Sequence, residues 1–164
     1  MKALTEQQFL ARLDEHRGIL WKVAATYCRE EEDRRDLAQE IVINLWRAFP
    51  RYDEQYRFST WMYRIAMNVA ISFRRSESRR TRDLAPVDEA VLEIAAPPAE
   101  SDEMRLLRRW IDGLDSLSKA LVILYLDGNS TSEIAEVLGI SATNVTTKIS
   151  RLKQRLRREL AEKG

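Results

Sequence analysis

The stretch TSEIAEVLGISATNVTTKISRLKQRLRREL, residues 131–160, decides the fold of the C-terminal part of the chain. Thr131 or Ser132 is placed to cap a short helix in which Ile134, Ala135 and Leu138 face inward. Ala135 is small where a second helix must cross closely. Gly139 permits a left-handed turn, and Ser141 caps the helix that follows. That second helix buries Val145, Ile149, Leu152 and Leu156, leaving Thr143, Asn144, Thr146, Thr147, Lys148, Ser150 and Arg151 on its outer side. The pattern is a helix-turn-helix, whose second helix enters the major groove of DNA. Residues 148–158 add six basic side chains and no acid, which suits phosphate neutralisation.

Upstream, residues 104–128 continue the helical period. Met104, Leu107, Ile111 and Leu114 are followed by Leu117, Leu121, Leu124 and Tyr125, and the run ends at Gly128. Before this block lie residues 83–103, which carry seven acids and no base, three prolines and five alanines. Such a segment has little apolar surface to bury and reads as a linker. Val91, Leu92 and Ile94 are its apolar exception and suit a short docking turn. Charge divides the chain the same way, with residues 1–82 and 104–164 each at net +4 and the linker at −7. The overall +1 hides two basic blocks.

Residues 1–82 also read as helical. Gly18 is the only glycine before residue 112, so turns at hairpin spacing are missing and strands are not expected. Thr5 and Gln8 form a capping-box pattern ahead of Phe9 and Leu13. Ile19, Leu20, Val23, Ala24 and Tyr27 make the next apolar face. Asp33 or Asp36 opens a helix through Leu37, Ile41, Leu45 and Trp46 that must stop near Pro50. Ser59 or Thr60 opens another, with Met62, Ile65, Val69 and Phe73 as its core. The expected architecture is all-α: two small helical domains, 1–82 and 104–164, joined by the acidic linker 83–103.

Six of the 13 aromatic residues fall between 49 and 63: Phe49, Tyr52, Tyr56, Phe58, Trp61 and Tyr63. On a helix plotted at roughly 100° per residue from Asn68, the core set occupies about +60° to +140°. The opposite stripe holds Trp61, Arg64, Asn68, Arg75 and Arg79, with Arg74, Arg80 and Arg82 nearby. Rings beside guanidinium groups suit single-stranded DNA, whose bases stack while arginines hold phosphates. In the preceding helix Asp36, Gln39, Glu40 and Asn44 share a polar face beside an apolar one.

In order and spacing, DLAQE with NLWRAFPRYD, then FSTWMYRIAMNVA, then SLSKALVILYLDGNSTSEIAEVLGISATNV resemble one family. They are similar to bacterial RNA polymerase sigma factors of the extracytoplasmic-function group, the kind with two domains. The resemblance implies that Asp36, Gln39, Glu40, Asn44 and Trp46 grip the clamp helices of core RNA polymerase. It implies that Tyr52, Tyr56, Arg57, Phe58, Trp61, Arg64, Asn68 and Arg75 engage the melted −10 element, with Asn68 and the 52–58 loop capturing a flipped base. It implies that Asn144, Thr146, Thr147, Lys148, Ser150 and Arg151 face the −35 element of promoter DNA. The family more often has a lysine and an arginine where this chain has Thr146 and Lys148, so the −35 sequence does not follow from the family pattern. An anti-sigma factor is the implied restraining partner.

Other functional classes are not expected. His16 is the only histidine and Cys28 the only cysteine, so neither a catalytic set nor a disulfide or cysteine zinc site is available. No glycine-rich phosphate loop or metal-ligand spacing is present, and no cofactor is expected. Apolar runs fall far short of the roughly 20 residues that cross a bilayer. The start, MKALTEQQFL, lacks an apolar signal region, which implies a cytoplasmic protein. A helix-turn-helix regulator with a dimerising N-terminal domain, or a helical interaction protein that does not touch DNA, would need neither DLAQE nor the aromatic–arginine helix after it.

Overall fold

The computed structural model describes residues 5–73 and 101–163. The first helix, α1 (Glu6–Glu15), starts at the expected capping box: the Thr5 amide donates to Gln8 Oε1 at 2.8 Å and the Gln8 amide to Thr5 Oγ1 at 3.2 Å. It buries Phe9 and Leu13, ends at His16, and α2 (Arg17–Tyr27) follows at once. Then come α3 (Glu31–Ala48), a 3-10 turn (Phe49–Arg51) and α4 (Phe58–Ser72). Among the described residues there is no strand.

Helices α2, α3 and α4 pack against one another and form the core of the N-terminal unit. Leu20 and Val23 from α2, Leu37, Ile41 and Leu45 from α3, and Met62 and Met67 from α4 are essentially sealed from solvent. Ala24, Ala38 and Ala66, also sealed, let the helix axes approach closely. Two expected helix starts move. The N-cap of α3 is Glu30, so Asp33 lies in the first turn, where Glu31, Glu32 and Asp33 complement the helix dipole. The N-cap of α4 is Arg57, and Ser59 and Thr60 sit inside the helix.

The core face of α4 is rotated from expectation. Met62, Tyr63, Ala66, Met67 and Ala70 are its buried residues beyond the first turn, an arc of roughly 120° to 260° from Asn68. Ile65, Val69 and Phe73 are only half-buried on its flank. Large aliphatic residues set the sequence pattern, but the neighbouring helices settle against the alanine side, where backbones come closest. Pro50 ends α3 where expected, inside the 3-10 turn.

The second unit contains α5 (Asp102–Asp112), α6 (Ser116–Leu126), α7 (Thr131–Leu138) and α8 (Ala142–Lys163). Helix α5 begins before Met104: Ser101 caps it, its Oγ accepting the Met104 amide at 3.2 Å, with Asp102 and Glu103 in the first turn. Its core, with α6, is Ile111, Leu114, Ala120, Leu121 and Leu124, whereas Met104 and Tyr125 are exposed. The N-cap of α7 is Ser130 rather than Thr131 or Ser132, in a full capping box with Glu133. Ile134 and Val137 are buried there, with Ala135 and Leu138 half-buried. Gly139 adopts φ +69°, the left-handed turn the sequence requires. Ser141 Oγ then accepts the Asn144 amide at 3.1 Å and starts α8, which buries Val145 and Leu152 and half-buries Ile149 and Leu156. The helix-turn-helix is as expected. Among the described residues no helix is long and apolar enough to cross a membrane.

Candidate functional site

Between the 3-10 turn and α4 lies a loop supported from below by stacked rings. Phe49 and Tyr52 stack at 6.1 Å with planes 13° apart, and Tyr52 meets Phe58 edge-on at 5.5 Å. Trp61 closes the set at 5.0 Å from Tyr52 and 5.2 Å from Phe58. Phe9 bridges Phe49 and Trp46, each at 5.2 Å, and His16 lies 5.1 Å from Phe58. Edge-to-face geometry of this kind adds roughly 0.5–1.5 kcal/mol per pair beyond burial. His16 Nδ1 is 2.9 Å from the Arg12 carbonyl oxygen, which orients its ring.

This packing corrects two sequence assignments. Tyr52 and Phe58, expected to touch a flipped base, are buried. Their rings pack against Phe49, Trp61 and each other. Burial, the largest influence, pushes the Tyr52 phenol above its ordinary value, opposed by Arg12. The hydroxyl therefore stays protonated and donates to the Tyr56 carbonyl at 2.6 Å. The loop offers Asp53, Glu54, Gln55 and Arg57 to solvent, and one ring, Tyr56, 57% exposed.

The outer face of α4 matches expectation where it is described. Arg64 and Asn68 are exposed, and Trp61 is half-buried at its start. Ser72 Oγ donates to the Asn68 backbone carbonyl at 2.8 Å. Ile71 is exposed on the same side, at 45%. Arg75, with Arg74, Arg79, Arg80, Arg82 and the Val91–Ile94 apolar cluster, lies outside the described residues.

On α3 the expected polar face is broader and less exposed than the pattern suggested. Gln39, Glu40 and Asn44 are half-buried, the Asn44 amide donating to the Glu40 carbonyl at 2.8 Å. Asp36 is 5% exposed and belongs to the interior rather than to that face. Trp46 is half-buried and its ring joins Phe9. Two residues beyond Asn44, it lies roughly 200° around the helix. The structure therefore places Glu40 and Asn44 within roughly 40° of each other, with Gln39 about 100° from Glu40 on the side of Trp46 and the buried Asp36 between Gln39 and Glu40.

On α8, Asn144, Thr146, Thr147, Ser150 and Arg151 are all exposed. Thr146 is partly committed, its hydroxyl donating to the Ala142 carbonyl at 3.1 Å. Lys148 departs from expectation. It is half-buried on the flank and its charge acts back on Asp115. The Ser118 hydroxyl is the main influence that holds the Asp115 carboxyl below the usual carboxylate range, and Lys148 adds to it. Farther along, Arg155 pairs with Glu159 at 3.2 Å and Lys153 sits 4.4 Å over the Tyr125 ring. Behind the recognition face an apolar groove runs between α5, α6 and α8, lined by Trp110, Val122, Leu126, Ile149 and Leu156. Sequence reading missed this groove. Its only signal was the surplus of apolar residues, Leu126 and Tyr125 among them, on an already complete core face.

Two parts of one class of transcription protein are recognisable in these surfaces, and comparison with known proteins agrees. Residues 13–80 match the family model for sigma-70 region 2, and residues 104–156 that for sigma-70 region 4. The ECF sigma-E factor of Escherichia coli K12 is 30% identical over 135 residues, covering 74% of this chain and 71% of that protein. SigW of Bacillus subtilis is 26% identical, covering 96% and 91%. The probable sigma factor RfaY of Xanthomonas campestris is 26% identical; the match covers 86% of this chain but only 37% of that longer protein. The solved structure of CnrH with the cytosolic domain of CnrY shares the fold at TM-score 0.69 and 24% identity, covering 98% of this chain and 92% of that one. RpoE bound to the anti-sigma factor NepR from Bartonella quintana gives TM-score 0.68 at 20% identity, covering 95% and 96%. The chain belongs to the extracytoplasmic-function sigma factors of the sigma-70 family. It is a sigma factor, the subunit that directs promoter-specific initiation of transcription.

Proposed function

We propose that the chain binds core RNA polymerase through Gln39, Glu40 and Asn44 and reads promoter DNA with two chemically different surfaces. Residues 104–164 place α8 in the major groove at the −35 element. There Thr147, Ser150 and Arg151 reach base edges, while Asn144 and Thr146 hold the start of the helix against the backbone. Arginine bridging guanine is the commonest specific contact, which makes Arg151 the principal reader. Lys148 contributes charge from the flank rather than direct readout.

Residues 1–82 act at the −10 element. Tyr56 offers a ring to an unpaired base, Asn68 an edge to hydrogen-bond, and Arg57, Arg64 and Arg75 charge for the single-stranded backbone. Flipping a base costs a few kcal/mol, which stacking and edge contacts in a pocket offset. Tyr52, Phe58 and Trp61 support that surface from beneath. Residues 83–100 tether the halves; they reach about 60 Å when extended, enough for two elements separated by somewhat under two turns of DNA at about 35 Å each. Core polymerase fixes their spacing, so the free protein binds promoter duplex poorly. The chemistry of transcription belongs to the polymerase. The protein acts in the cytoplasm, where an anti-sigma factor restrains it, as the complexes of CnrH with CnrY and of RpoE with NepR suggest by analogy.

The observation that carries this reading is the pairing of an exposed ring on a rigid aromatic base with an exposed polar recognition helix on the same chain. Footprinting tests it. Holoenzyme made with the purified protein should protect both elements and render −10 thymines permanganate-reactive. Protection of the −35 region alone, with no melting, would contradict the role given to residues 1–82.

A further inference from the structure

We infer that Tyr52 is a positioning residue: its hydroxyl locks the 53–56 turn so that Tyr56 is held out as the stacking surface for one unpaired base. This deepens the proposed −10 role and rests on it. Three hydrogen bonds close the turn. The Tyr56 amide donates to the Asp53 carbonyl at 3.1 Å, and the Gln55 amide donates to Asp53 Oδ1 at 3.0 Å. The third is the Tyr52 hydroxyl on the Tyr56 carbonyl at 2.6 Å. The first two bonds are local to the turn. Only the third ties it to the core, because the Tyr52 ring is wedged between Phe49, Phe58 and Trp61. A second tie is weak: Glu54 meets Arg12 of α1 at 3.9 Å with both side chains largely in water.

The consequence is preorganisation. Tyr56 is 57% exposed and its ring meets no other aromatic ring among the described residues, so its backbone largely sets where that ring stands. An exposed tyrosine on an unfixed loop would lose freedom on meeting a base, and that loss would weaken capture. Anchoring the carbonyl of the same residue to a buried hydroxyl removes most of that loss in advance. Tyr52 thus acts through Tyr56 and never touches DNA.

The test is a double-mutant cycle on the full chain, assembled with core polymerase. The probe is a non-template −10 oligonucleotide, from a promoter selected out of random DNA by wild-type holoenzyme, with 2-aminopurine at the captured position. Tyr52→Phe keeps the ring and loses one hydrogen bond, so it should weaken oligonucleotide binding roughly 3- to 10-fold. Core affinity and −35 duplex binding should stay unchanged. Tyr56→Ala should weaken binding at least as much, and the double variant should match Tyr56→Ala within about twofold. A purely structural role for Tyr52 would instead add its full loss on top of Tyr56→Ala, and that result overturns the inference. Wild-type binding by Tyr52→Phe beside a weakened Tyr56→Ala also overturns it, while leaving base capture standing. Wild-type binding by Tyr56→Ala would overturn base capture and the inference with it. Should Tyr52→Phe melt early, Asp53→Ala opens the same turn from its solvent side. It should reproduce the loss, Asp53→Asn should restore binding, and wild-type binding by Asp53→Ala would count against a positioned turn.

Discussion

The two surfaces proposed to face DNA are built on opposite plans. On α8 the reading groups are short polar side chains and one arginine standing directly on a helix, with an aliphatic core behind them. At the 52–58 loop residues 53–57 are exposed with Tyr56 the one ring among them, and the loop rests on a raft of six interlocked aromatic rings, from Phe9 and Trp46 to Trp61. Duplex DNA arrives with its base edges already ordered, so a helix of the right polarity suffices. A single-stranded base must be unstacked and held, which demands a rigid platform with an available ring. The difference supports the proposal that one unit recognises ordered DNA and the other captures an unpaired base.

The largest expected effect lies on neither surface. Gln39→Ala with Glu40→Arg should abolish co-purification with core polymerase, since like charges meeting at an interface cost several kcal/mol. Both side chains are only half-buried, so circular dichroism should show the fold intact. Wild-type yield of the complex would remove the α3 face from the interface and leave the comparison without its shared anchor.

Next comes the capture surface. Tyr56→Ala combined with Asn68→Ala should cripple promoter opening while sparing core binding and −35 contact. Loss of stacking alone is worth about 1–3 kcal/mol per base. Normal permanganate reactivity in this variant would break the contrast between the two plans. Arg151→Ala should cost about 1–3 kcal/mol of −35 affinity and relax the base preference at one position. Lys148→Ala, on the flank, should lower affinity evenly across sequences; a change of base preference there would place Lys148 among the readers.

Two smaller effects probe how the reading helix is held. Gly139→Ala meets no atom within 4 Å but must keep φ +69°, so the cost is conformational. About 1–2 kcal/mol of stability should be lost from the C-terminal unit on urea unfolding. Asp115 contributes in a defined pH window. Its carboxyl is held below the usual range, so its stabilisation is present above about pH 4 and is lost as pH falls through the folded-state value. Asp115→Asn should lack that acid-limb step; an unchanged acid titration would contradict the Ser118 and Lys148 contacts.

The recognition unit was legible because its signals are local. Ser141, Gly139 and the spacing of Val145 and Leu152 each act within a turn or two of chain, and they specify the helix-turn-helix without help from elsewhere. Even so, the cap of α7 slipped to Ser130, because Glu133 completes a capping box only with the residue three positions before it. The capture surface was less legible. Beside an arginine stripe, the aromatic residues from 49 onward read as a platform for bases, and their packing depends on Phe9 and His16, more than 30 residues away in sequence. Only the assembled fold shows Tyr52 and Phe58 beneath and Tyr56 above. The rotation of α4 has a similar origin: alanines carry little weight in a hydrophobic pattern but decide how closely helices approach. Asp36 misled for the opposite reason, a charged residue being expected outside.

The central claim is that one chain supplies both plans to one enzyme, and transcription in vitro tests it most directly. Core polymerase incubated with the purified protein, and offered a library of promoter fragments, should start RNA at a defined position downstream of a −35 and −10 pair. The same core alone should not. With Tyr56→Ala/Asn68→Ala, initiation from duplex templates should collapse while a template pre-melted through the −10 region regains part of it. Specific initiation at wild-type level by that variant on duplex DNA, or none at all by the wild-type protein with core, would contradict the account.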